Sequence, residues 1–282
     1  MIEDARGDID YDAVGAGPTI VFVPGSCSTG AAWRPIMDAL GGRFRCVTTS
    51  LLGYGKTAEL RTPRDPSIAH EADIVEAVVR RAGGHVHLVG HSFGGLVSLA
   101  VALRSRVPLA SLSVVEAPAA ELLRACGEHQ HYQAFRQMTA TYFADFESGN
   151  AQAIATMIDF YGGAAGTFDA WPQRLRAYAV ETTPVNILDW ASAYGFPLSP
   201  TALAALEMPV LIARGDASPP AVQRANGLLA ECIDGAALAT IEGAAHFMIA
   251  THASEVAALI AQHVLSAQAR LAPLKDKVTA SA

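Results

Sequence analysis

The pentapeptide Gly90-His91-Ser92-Phe93-Gly94 fits the pattern G-x-S-x-G and stands between a short apolar run and a helical pattern. At a strand-to-helix turn of this kind the serine adopts a strained backbone conformation that lifts its hydroxyl above the sheet. Glycines are needed two residues to either side, where larger side chains would collide. A plain glycine-rich turn with a capping serine is the bland alternative, and the flanking elements argue against it. A serine hydroxyl is a poor nucleophile near neutral pH and needs an adjacent base. His246, in the stretch Glu242-Gly243-Ala244-Ala245-His246-Phe247, is the leading candidate. Taken alone it would read as a surface histidine. Downstream of Ser92, and between the last strand and the last helix, it lies where a base should sit.

Attack on an acyl carbon also requires donors for the oxyanion. The backbone N–H of Phe93, directly after the nucleophile, is one. The other is expected in Val23-Pro24-Gly25-Ser26, with the N–H of Ser26 best placed. Loss of one such donor removes about 2.7–4 kcal/mol of transition-state stabilisation.

These residues need a scaffold, and the chain supplies one. Apolar, β-rich runs recur at residues 19–24, 45–49, 86–90, 112–116, 209–214 and 237–241, most of them apolar throughout as in strands buried on both faces of a parallel sheet. Helical patterns fall between them at residues 31–40, 70–81, 93–105, 219–230 and 252–269. The alternation predicts an α/β fold. Residues 118–208 break the rhythm with helical periodicity only, and they carry 13 of the 20 aromatic residues. Tyr132, Phe135, Thr139, Tyr142, Phe143 and Phe146 form a stripe at helical spacing. The block reads as a helical lid with a core or cavity of its own, inserted between two strands.

Composition narrows the function. With 282 residues, 51% hydrophobic and 17% charged, the chain can bury a sizeable core and is too apolar for disorder. A formal charge of −7 and the lack of a dense basic stretch speak against nucleic acid. The uncharged window over residues 82–103 is interrupted by five glycines, three histidines and two serines, so it reads as strand, turn and buried helix and not as a membrane span. Cys27, Cys46, Cys126 and Cys232 are widely spaced and expected to be reduced. The acidic start MIEDARGDIDYD lacks a signal-peptide pattern, which suggests the cytoplasm. Residues 50–57 mimic a P-loop but begin with Ser50, and Pro63 and Pro66 break the helix that should receive the phosphates. His85 with His87, and His129 with His131, could pair on one face of extended segments but lack further ligands at metal spacing, so no metal or organic cofactor is expected.

The order of the Pro24-Gly25-Ser26 loop, the Gly90–Gly94 turn and the His246 loop resembles the α/β-hydrolase superfamily. Leu52-Gly53-Tyr54-Gly55-Lys56-Thr57 looks like its glycine-rich loop after the next strand, and Gly215-Asp216 lies where the loop after the penultimate strand begins. The resemblance covers nearly the whole chain and implies a mostly parallel central sheet flanked by helices, formed by residues 1–117 and 209–282. Residues 118–208 match the variable cap. Pro24 replaces a common histidine and Ser50 a common aspartate, and neither change removes a backbone donor.

The acid that orients His246 has two candidates. In the resembled family it usually lies three residues past the glycine after the penultimate strand, which here is Ser218, a residue that cannot carry the charge. Some members place it after the preceding strand, and here that strand ends in Glu116. A charged glutamate directly after an apolar strand is costly without a partner. Glu116 is therefore expected, with Asp216 as the alternative.

The activity expected is hydrolysis of a carboxylic ester, thioester or lactone of a small, largely apolar molecule. Carbon–carbon bond hydrolysis and perhydrolysis use the same serine and stay open, whereas dehalogenases and epoxide hydrolases of the superfamily use aspartate. A low-turnover binding or receptor protein on the same scaffold is the alternative of another class. The expected pocket wall is Phe93, Tyr142, Phe143, Trp171, Trp190 and Phe247, with the lid setting substrate choice and not the chemistry. The partner expected is a small-molecule substrate, with no nucleic acid or membrane, for a monomer or homodimer.

Overall fold

The computed structural model describes residues 1–4 and 7–279; Ala5 and Arg6 of the acidic start lie outside them. The chain opens with three short strands, β1 (Ile2–Asp4), β2 (Gly7–Ile9) and β3 (Asp12–Val14). None stands out in sequence, because each has three residues and β3 is exposed throughout. The six expected strands then follow as β4 (Thr19–Val23), β5 (Arg45–Thr48), β6 (Val86–His91), β7 (Leu109–Val115), β8 (Val210–Gly215) and β9 (Ala237–Ile241). β1 and β2 form a separate ribbon. The main sheet has seven strands in the order β3-β5-β4-β6-β7-β8-β9, with β3 antiparallel and every other pair parallel.

The helices of the sheet region are α1 (Arg34–Leu40), α2 (Ile68–Ala82) and α3 (Phe93–Arg104). Six more lie between β7 and β8: α4 (Ala120–Ala125), α5 (His129–Glu147), α6 (Ile154–Gly162), α7 (Gln173–Glu181), α8 (Thr183–Tyr194) and α9 (Pro200–Ala204). Then come α10 (Pro220–Cys232), α11 (Met248–Thr251) and α12 (Ala253–Thr279). The single helix expected at residues 252–269 is thus preceded by a short separate turn. His129 and His131 open α5 and do not lie on an extended segment, which removes the shared face that made them a candidate metal pair.

Strand alternation divides the core. Val21, Val23 and Leu88 face α2 and α3, while Ile20, Phe22 and Val89 face α1 and α12. Full burial of each such side chain contributes about 1.5–3 kcal/mol. Phe135, Tyr142, Tyr161 and Trp190 of the helical block join the cluster on the α2–α3 side, so their packing is continuous with the sheet. β9, at the sheet edge, is largely exposed apart from Ile241.

The β6–α3 turn is a tightly crowded backbone crossing. A Cβ added at Gly94 would lie 2.2 Å from the carbonyl oxygen of Pro24, and one at Gly90 would lie 2.3 Å from that of Gly94. Backbone cannot yield as a flexible side chain can. Gly94→Ala is expected to lower stability by about 1–3 kcal/mol, read by urea denaturation. Wild-type stability in that variant would show that the two loops are free to separate.

Candidate active site

Ser92 sits between β6 and α3 at φ 53°, ψ −128°. This left-handed backbone is costly for a residue with a Cβ and persists only when the surroundings impose it. Two of them are visible: the Ser92 N–H donates to the Val115 carbonyl at 2.9 Å, and Gly25 leaves room for the Ser92 Cβ, which would be 2.8 Å from any Cβ at that position.

His246 is buried in the loop after β9, with Nε2 2.9 Å from Ser92 Oγ and Nδ1 2.9 Å from Glu116 Oε2. A Glu116 carboxylate can only accept, so Nδ1 carries the proton and Nε2 offers its lone pair to the serine O–H. His91 Nε2–H donates to the His246 carbonyl at 2.8 Å and pins the loop. Burial, and then the neighbouring His246, push the His91 imidazole down to about 3, so it is neutral. The Tyr161 ring packs over that of His246 with centroids 4.1 Å apart.

Glu116 is fully buried just after β7, at φ 48°. Its Oε1 accepts from the Gly215 N–H at 2.8 Å and from Ser218 Oγ at 2.6 Å. Asn226 of α10 fastens the next residue, accepting from the Ala117 N–H at 3.0 Å and donating to its carbonyl at 3.1 Å. Asp216 is exposed, and its Oδ1 accepts from the Gly243 N–H at 2.7 Å. The structure brings Ser92, His246 and Glu116 into one chain of hydrogen bonds, and Asp216 is engaged elsewhere.

Ser26 and Phe93 flank Ser92 at a cavity of about 1040 Å³. Among the described residues neither of their backbone N–H groups has an acceptor, so both are available to a ligand. Of the residues expected to form the pocket wall, Phe93, Trp171, Trp190 and Phe247 line this cavity. Tyr142 and Phe143 do not. Tyr142 is turned into the core, where its hydroxyl donates to the Thr183 carbonyl at 3.4 Å, and Phe143 packs against it with centroids 5.4 Å apart. Helical spacing identifies the buried stripe of α5 but cannot say which neighbour covers it.

Sequence reasoning missed a second set of cavity residues: Asp189, Tyr161 and Asn186. Asn186 Oδ1 and Tyr161 Oη are buried with no partner among the described residues. Asp189 Oδ2 accepts from Ser26 Oγ at 2.5 Å and Tyr54 Oη at 2.6 Å, and Oδ1 accepts from Arg61 Nη1 at 2.8 Å. The Arg61 guanidinium also donates two hydrogen bonds to Glu59, of 2.9 and 2.8 Å, and lies 3.1 Å from Glu71. A lone aspartate in the otherwise apolar stretch Ile187-Leu188-Asp189-Trp190 was the available signal, since a buried charge needs a partner. Nothing local points to Arg61 as that partner.

Residues 20–259 match the model of the alpha/beta hydrolase family. Over 124 residues the chain is 32% identical to a protein of Azorhizobium caulinodans named carbamate hydrolase RutD, a match covering 43% of this chain and 46% of that one. Over 93 residues it is 32% identical to the pimeloyl-(acyl-carrier protein) methyl ester esterase of Aliivibrio salmonicida, covering 33% of each. The chain thus spans less than half the length of these curated relatives. The fold is similar to that of a solved thermophilic esterase from Thermogutta terrifontis, with a TM-score of 0.72 at 20% identity over 94% of this chain and 96% of that one.

Three carboxylates around one guanidinium leave excess negative charge, and Glu71 relieves it. Burial first, then Asp189 and Glu59, outweigh Arg61 and push the Glu71 carboxyl up to about 8 from its ordinary 4.5. Between those values the folded state binds the extra proton, so stability falls as pH rises through the window and levels off above it. Burial holds His87 near 4, well under the ordinary 6.5, and this acts in the opposite direction, but only below about 6.5. From pH 6.5 to 8 wild-type stability is expected to drop by about 1–2 kcal/mol. Denaturation curves of Glu71→Gln should be flat over that range; the same slope in both proteins would exclude Glu71 as the cause.

Proposed function

The chain belongs to the alpha/beta hydrolase family, and from that premise we propose that this hydrolase cleaves a carboxylic ester, thioester or lactone through an acyl-enzyme on Ser92. The observation that carries the proposal is the unbroken chain from Ser92 Oγ through His246 to Glu116, with both hydrogen bonds at 2.9 Å, at the wall of a largely apolar cavity. In this mechanism Ser92 Oγ forms a bond to the acyl carbon while its proton passes to His246 Nε2. Glu116 holds the Nδ1–H and stabilises the imidazolium. The carbonyl oxygen, now an oxyanion, accepts from the N–H groups of Ser26 and Phe93. Collapse breaks the bond to the leaving group, which takes the proton from Nε2. Water then attacks the acyl-enzyme, gives its proton to His246, and releases the acid and the Ser92 hydroxyl.

The helical block from α4 to α9 acts in this proposal as a cap over the cavity. Trp171, Trp190 and Phe247 favour an apolar substrate body. Asn186 and Tyr161 offer a polar handle, because their unpartnered oxygens would otherwise remain a cost of burial. A carbamate and a methyl ester, the substrates named for the two relatives, both present a carbonyl of the kind this site would attack. No described helix is long and apolar enough to cross a membrane. The four cysteines, all free, support a cytoplasmic setting.

Ser92→Ala is expected to lower kcat by about 10⁶ with the melting temperature retained. Glu116→Gln should lower it by about 10⁴, since the amide fails to hold the required tautomer, whereas Asp216→Asn should stay within a few-fold of wild type. The assay is turnover of a panel of esters, thioesters and lactones, with fluorophosphonate labelling of Ser92. A Ser92→Ala protein that kept several per cent of activity would refute the mechanism. Wild-type protein that neither labels nor turns over any substrate would favour the binding-protein alternative.

A further inference from the structure

We propose that Asp189, on helix α8 of the cap, is a positioning residue for the oxyanion donors, so that the cap takes part in the chemical step and not only in substrate choice. The inference rests on the serine mechanism proposed above. Ser26 is expected to use its backbone N–H on the oxyanion, and its side chain is committed to Asp189 Oδ2 at 2.5 Å. The loop needs that hold. Cys27, the next residue, lies at φ 56°, a conformation that a residue with a Cβ keeps only under outside constraint. On its other side Gly25 is already in tight contact with Ser92 and His91.

The second donor is reached through the same pair. Arg61, held by Asp189 at 2.8 Å, places its guanidinium carbon 6.0 Å from the centroid of the Phe93 ring. Tyr54 completes the set by donating to the same carboxylate oxygen as Ser26. Asp189 is 2% exposed, the Arg61 side chain is fully buried, and the sequence positions they join are far apart. A buried ion pair is a poor source of net stability compared with apolar packing. Its distinctive property is direction: each bond fixes an angle as well as a distance. Here the angles converge on the two residues whose N–H groups must meet one oxygen atom.

The test is a double-variant cycle on p-nitrophenyl acetate, whose small acyl group keeps contacts with the apolar cavity wall to a minimum. Asp189→Asn and Ser26→Ala are each expected to lower kcat by about 10- to 10²-fold, the scale of a modest misplacement of catalytic groups, with KM within about twofold. Because Asp189 holds Ser26 directly and Phe93 through Arg61, the double variant should lose little beyond Asp189→Asn alone. Affinity for a trifluoromethyl ketone, which forms a tetrahedral oxyanion on the serine, should fall in step with kcat/KM. Ser26→Thr, which keeps a hydroxyl, should restore most of the kcat. Should Asp189→Asn fail to fold because the buried cluster around Arg61 loses one of its carboxylates, Ser26→Ala against Ser26→Thr reads the other end of the bond with every charge still in place. Unchanged kcat in Ser26→Ala, or fully multiplicative losses in a folded double variant, would overturn the positioning role. Wild-type protein inert towards both the ester and the ketone would instead bring down the serine mechanism, and this inference with it.

Discussion

The structure around Ser92 depends on how closely three backbone segments approach one another. The strand-to-helix turn, the loop after β4 and the start of α3 meet at distances that exclude a Cβ at Gly25, Gly90 and Gly94. That contact holds Ser92 at positive φ and brings Ser26 and Phe93 to the same cavity wall as Ser92. Sheet register does the rest. His91 pairs with Val115 across β6 and β7, so the residues that follow, Ser92 and Glu116, leave neighbouring strand ends together. The Ser92 N–H to Val115 bond closes the arrangement. The absence of three side chains thus lets the proposed nucleophile and both proposed donors come together.

The carboxylate beside His246 shows a similar economy. Ser218 occupies the position where an acid is common in the resembled family, and its hydroxyl donates to Glu116 at 2.6 Å. The two positions are therefore adjacent in space although they leave different strands. A carboxylate from β7 or from the loop after β8 could reach the same imidazole, and the chain keeps only the first. Glu116 at φ 48° needs support, which Asn226 supplies by binding both the N–H and the carbonyl of Ala117. Asp216, nearer in sequence to the usual position, is turned outward to the Gly243 N–H.

Much of this was legible from the sequence because it is governed by local rules. Apolar runs mark strands buried on both faces, the glycines around Ser92 mark a turn that tolerates no Cβ, and His246 follows from chain order. Glu116 was legible by a different route, as a charge that could not follow an apolar strand without a partner. Long-range, directional contacts were not legible. Asp189 and Arg61 are 128 positions apart in the chain, and no spacing rule links a loop arginine to a helix aspartate. The aromatic wall was half legible for a related reason. Trp171 and Trp190 face the cavity while Tyr142 and Phe143 face the core, and helical periodicity marks a buried stripe without naming what covers it. The three short amino-terminal strands carry too few residues for any periodicity.

The contacts between cap and sheet are of two physical kinds. Around the cavity they are aromatic: Tyr161 packs over His246 at 4.1 Å, and Trp171 meets Phe247 edge-on at 4.9 Å. Such packing is weakly directional and accommodates changes of shape at modest cost. Behind Ser26 and Phe93 the contacts are charged and hydrogen-bonded, centred on a fully buried Arg61. Broken there, a bond strands a buried charge, and that penalty resists displacement far more steeply than apolar contact does. The division follows the demands on each region. A wall that meets the variable part of a substrate can be soft, whereas donors that must meet one developing charge cannot. In the proposed mechanism the cap therefore carries both properties at once, and α8 presents them side by side, with Asp189 toward the donors and Trp190 toward the substrate.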